Sequence, residues 1–173
     1  MKKITAFSGA VQVTLLQSVQ TSVERVVNYL GNDAGGRSGG YFRMWLVNED
    51  DLLVPICNFL VGEVDGDKFE KYHFISNEKG MRLARNLKHG HVSSWQSRNP
   101  DNDEYGGAIY FIIKLGDESF RVIFSFSGLP EKGDEAAMIM AANDMDQLRL
   151  PACSKIIDAS ENDIAIDLGL YQL

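Results

Sequence analysis

A chain of 173 residues has the length of one domain and can bury a core without metal or disulfide staples. Apolar residues make up 45% and charged residues 24%, a globular mixture that excludes disordered and fibrous classes. The net charge of -7 opposes binding to nucleic-acid phosphate. The long apolar runs, Leu52 to Val61 and Ile109 to Ile113, fall far short of the ~20 residues that span a bilayer.

Lys2 and Lys3 precede a mildly apolar stretch, but Thr5, Ser8, Gln12 and Thr14 interrupt it and no small-x-small cleavage site follows. The expectation is a mature cytoplasmic chain. Leu15, Val19, Val23, Val26, Val27 and Leu30 recur at steps of three and four, which predicts a helix from about residue 8 to 30, stopped by Gly31 and Asn32. The glycine-rich tract from Gly35 to Gly40 reads as a flexible linker. It follows a helix and lacks the Lys-Ser/Thr ending of a phosphate-binding loop.

Tyr41 to Val47 and Leu52 to Val61, joined by the polar turn 48–51, predict a β-hairpin whose Pro55 belongs at a sheet edge. Ser76 or Asn77 can cap a helix over about 77–88, after which residues 89–105 form a long polar loop with the acidic stretch Asp101 to Glu104. A second hairpin follows from 108–115 and 119–127, where Phe120, Val122, Phe124 and Phe126 alternate with other residues. Asp134 opens a predicted third helix to about Leu148. The core then spans about 8–148, with 149–173 as a C-terminal extension, and the order of elements favours an α+β fold with an antiparallel sheet of four to five strands flanked by helices.

Few residues suggest chemistry. His89 and His91 form a close pair, but a third metal ligand is not evident; a single histidine can still hold haem iron. Asp134 and Glu135 could act as acid and base, although capping and dipole complementarity account for adjacent carboxylates at a helix start. Cys57 and Cys153 read as reduced thiols, and neither they nor Ser125 and Ser127 sit in a nucleophile motif. No catalytic residue and no metal site is assigned.

The second half carries a Gly-Gly pair (Gly106, Gly107) before a hairpin, a strand ending in Ser127-Gly128, and Asp134-Glu135-Ala136 after a short loop. In these features the chain resembles the GlcG/HbpS-like haem-binding family, also found at the C-terminus of PduO adenosyltransferases. The likeness covers about residues 10–148, and Phe124 and Phe126 stand where that family usually has small residues. The resemblance implies a profilin-like sheet, homo-oligomerisation and, in some members, haem or corrinoid binding. The resulting expectation is a non-enzymatic ligand-binding sensor or carrier, with His89, His91, Gly106, Gly107, Asp134 and Glu135 as ligand-binding candidates. Two alternatives stand beside it: an acidic module that docks a basic protein partner without a small ligand, and a small hydrolase or isomerase using Asp134 or Glu135.

Overall fold

A computed structural model describes residues 9–115, 117–145 and 147–172. Helix α1 (Gly9–Leu30) is followed by the hairpin β1 (Gly40–Val47) and β2 (Leu53–Val61), then by α2 (Gly66–Asn86). The second hairpin, β3 (Ala108–Leu115) and β4 (Glu118–Ser127), leads into α3 (Glu131–Asp144), α4 (Leu150–Ser160) and α5 (Asp163–Asp167). The strands form one antiparallel sheet in the order β2-β1-β4-β3, so the fold is α+β with four strands. No helix among the described residues is long and apolar enough to cross a membrane.

The period-2 alternation of β4 sends its residues to two layers. Phe120, Val122, Phe124 and Phe126 join Phe42 and Met44 of β1 and Ile109 and Phe111 of β3 against α1 and α3. Ile123 faces the other way and packs with Trp45, Val47 and Ala108 against Leu83 and Ala84 of α2. Phe124 meets Phe42 and Phe111 edge-to-face, with centroids 5.2 and 4.8 Å away, the geometry ring quadrupoles favour. The bulky residues at 124 and 126 therefore fill the core. Pro55 lies on edge strand β2 beside a bulge at Met44/Trp45, where its missing N–H costs little.

Four expectations need correction. Helix α2 starts at Gly66, and Ser76, expected as a cap, is buried inside it with its hydroxyl donating to the His73 carbonyl. Helix α3 begins at Glu131 after Pro130 and ends at Asp144, so Asp134 lies inside the helix and does not open it. Of the expected C-terminal extension, the described residues 149–172 are no mere appendage: Cys153, Ile156, Ile157, Ala165 and Leu170 are buried in the main core. The glycine tract is tied down at its end, because a Cβ on Gly40 would stand 2.2 Å from the Ser127 carbonyl oxygen. The first residue of the expected first helix, Ser8, and Gly116 of the β3–β4 turn lie outside the described residues.

Candidate functional site

A cleft of about 620 Å³ opens between α2, the glycine tract and the turn from β4 to α3. Helix α2 contributes Lys68, Lys71, Tyr72, Ile75 and Lys79, whose spacing by three and four places them on one stripe. Arg37 enters from the glycine tract, Tyr105 from the long loop, and Ser127 to Glu131 and Asp134 form the opposite wall.

The cleft floor is a buried ion pair. Lys79 Nζ donates to Asp134 Oδ2 at 2.7 Å and to the Phe126 carbonyl at 3.0 Å, with the two side chains 1% and 2% exposed. Asp134 Oδ1 accepts the backbone N–H groups of Gly128 at 3.1 Å and Leu129 at 2.7 Å. That single carboxylate thus joins α2 to the β4–α3 turn. Gly107 closes the arrangement: its φ of 117° favours glycine, and a Cβ there would stand 2.7 Å from the Asp134 Cβ and 2.8 Å from Lys79 Nζ.

Burial pushes the Asp134 carboxyl up from 3.8 to about 6, against the lowering pull of Lys79, the Leu129 N–H and Arg37. It is therefore ionised at neutral pH. Because the folded carboxyl holds its proton more tightly than the unfolded one, its stabilising contribution is complete below 3.8 and is lost as pH rises through about 6. The stability of the wild type minus that of Asp134→Asn, measured by urea unfolding from pH 4 to 7, should fall across that window. A difference that rises with pH would refute this assignment.

Glu135 points away from the cleft lining into a separate buried network. The Ser93 hydroxyl and Asn162 Nδ2 donate to its two carboxylate oxygens, the latter at 3.2 Å. Burial raises its pKa against the hydrogen bonds of Ser160, Ser93 and Asn162. The fit ties α3 to the long loop and to the segment before α5.

The candidate residues thus separate. Asp134 lines the cleft and Gly107 abuts it; Gly106 packs on the Trp95 ring and donates its N–H to Glu131 at 3.1 Å. His89 ends an exposed turn, His91 is half-buried, and neither lines the cleft. The histidines offered as haem ligands are thus absent from the lining. Its cations, backbone groups and two tyrosines do not fit haem ligation through histidine. Among the described residues, no group of three or more His, Cys, Asp or Glu is placed to hold a metal ion.

Sequence reasoning missed Lys79, Arg82 and Arg37. The signal for the first two was present: Tyr72, Ile75, Lys79, Arg82 and Leu83 follow one helical stripe and are all buried. Arg37 had none, since only the fold brings the glycine tract to α2. Comparison of the chain with protein-family models, curated proteins and solved structures finds no match.

Proposed function

We propose that this domain is a non-enzymatic small-ligand-binding module, a sensor or carrier, whose site is the cleft between α2 and the β4–α3 turn. The observation that carries this reading is the cleft itself, about 620 Å³ with polar groups converging from three segments over a fixed floor. Both candidate acid–base carboxylates are buried and already hydrogen-bonded, which favours a supporting role for them over a catalytic one. Gly107 and Asp134 then shape the site and do not react in it.

Thermal unfolding with a panel containing haem, cobalamin, pyrophosphate, citrate and neutral sugars tests the reading. A true ligand at 100 times its Kd should stabilise the fold by about 2.7 kcal/mol. Its binding should also move the amide signals of Ser127 to Leu129. A panel that produces neither effect counts against the proposal. The exposed acidic tip at Asp101 and Asp103 supports a second reading, docking of a basic protein partner. Partner capture unaffected by salt and by charge reversal at these two residues would remove it.

A further inference from the structure

We infer that the ligand of this cleft is a small polyanion, a phosphate ester or polycarboxylate, gripped by Arg37, Lys68 and Lys71; the inference rests on the cleft being a ligand site. The lining contains four cationic side chains and two carboxylates, and the two carboxylates are already engaged. Asp134 is taken by Lys79 and two backbone N–H groups. Glu131 accepts Arg98 Nε at 2.6 Å, Arg98 Nη2 at 3.1 Å and the Gly106 N–H at 3.1 Å.

No acidic side chain of the lining is therefore left for the three outer cations. Among the described residues, Arg37 and Lys71 form no ion pair within 4.0 Å. Lys68 pairs with Asp65 at 2.6 Å, but both side chains are largely exposed, and such a pair exchanges readily for a better partner.

Solvated lysines on a helix surface would be the plain explanation, and two facts weigh against it. The chain as a whole carries -7, so a cleft lined by four cations and two engaged carboxylates runs against its average charge. Arg37 also reaches the same cleft from the glycine tract, so the cations converge from two segments and do not merely follow one helix surface. Asp65 at the N-cap and Asp67 in the first turn raise the Lys68 pKa, which leaves Arg37 and Lys71 as the outer cations with no ion pair within 4.0 Å among the described residues. A ligand with several negative charges can pair with more than one of these cleft cations at once, which a single carboxylate does less well.

Calorimetric titration of the full chain with pyrophosphate, citrate, acetate and glucose, paired with amide NMR, tests this. Pyrophosphate or citrate should bind at the cleft and weaken as salt rises, acetate should bind at least about tenfold more weakly, and glucose should not bind. Arg37→Ala and Lys71→Ala, both at exposed side chains, should each weaken the polyanion about tenfold. Lys155→Ala, an exposed cation outside the lining, should leave it unchanged. Whichever polyanion binds tighter identifies the phosphate or the carboxylate form.

Equal weakening by Lys155→Ala, or unchanged affinity in the Arg37→Ala/Lys71→Ala double variant, overturns the inference. Glucose moving the cleft amides while neither polyanion does overturns it but leaves the ligand-site reading intact. If no probe moves them, both fall.

Discussion

Replacing Lys79 by Met is expected to destabilise the fold by about 3–5 kcal/mol, because it leaves a carboxylate buried without its counter-ion. Asp134 would keep the N–H groups of Gly128 and Leu129 but lose the ammonium at 2.7 Å, while the Phe126 carbonyl would lose its partner. The variant can lessen the penalty by protonating Asp134, so its deficit should shrink as pH falls from 7 toward 5. Asp134→Asn should be costly for the opposite reason, a buried ammonium left unpaired. The double variant Lys79→Met/Asp134→Asn removes both charges yet keeps an acceptor for the turn. It should therefore be more stable than the sum of the single changes predicts, by about 0.5–3 kcal/mol of coupling. Urea unfolding of the four proteins reads this directly, and additive losses would mean that the pair does not act as a unit.

The same pair shows what the sequence could and could not convey. The hairpins were legible because alternation is a local signal: β3 runs over the predicted residues, and β4 starts one residue early. Phe124 and Ile123 went to opposite faces as period 2 requires. Helix α2 reads at half its length because Ser76 resembles a cap and the ten residues before it bury only Tyr72 and Ile75, too few apolar positions to mark a stripe. A stripe of apolar positions marks a helix only where burial is apolar. Helix α3 reads from Asp134 for a related reason. Asp134 resembles a cap, and it does accept N–H groups from Gly128 and Leu129, but the helix starts after Pro130 and the carboxylate reaches back to them from within it.

The cleft was less legible still. Its cations come from the glycine tract and α2, and its opposite wall from the β4–α3 turn. No spacing in the chain links these segments, since sheet pairing of β1 with β4 is what sets Gly40 against Ser127 and so brings the tract to the cleft. Of the six candidates, the fold sets Gly107 against Asp134 at the cleft floor, while Gly106 packs on Trp95. Glu135, next to Asp134 in sequence, serves the separate network with Ser93 and Asn162 because adjacent helical residues point about 100° apart.

Replacing Arg82 by Met should release the long loop from the body and lower stability by about 3–5 kcal/mol, as removal of one partner from a buried charged network does. The Arg82 side chain is 5% exposed, and its guanidinium fork of donors is nearly fully used. Nε donates to Glu78 at 2.7 Å, Nη1 to the carbonyls of Ser94 at 2.6 Å and Ser97 at 2.9 Å, and Nη2 to that of Tyr105 at 2.5 Å. One side chain of α2 thus fastens both ends of the 94–105 segment. A lysine cannot reproduce that planar fork, so Arg82→Lys should recover little. The segment matters to the cleft because it supplies Tyr105 and because Arg98, stacked on Trp95 with its guanidinium 4.8 Å from the ring centre, holds Glu131. With the loop released, Glu131 would be freed to compete for the outer cations, and polyanion affinity should fall with the fold still formed. Hydrogen exchange should show protection lost across 94–105 before the sheet. If those amides stay protected in Arg82→Met, the loop is held by Trp95 and Arg98 instead, and the link from α2 through Arg82 to the cleft is broken.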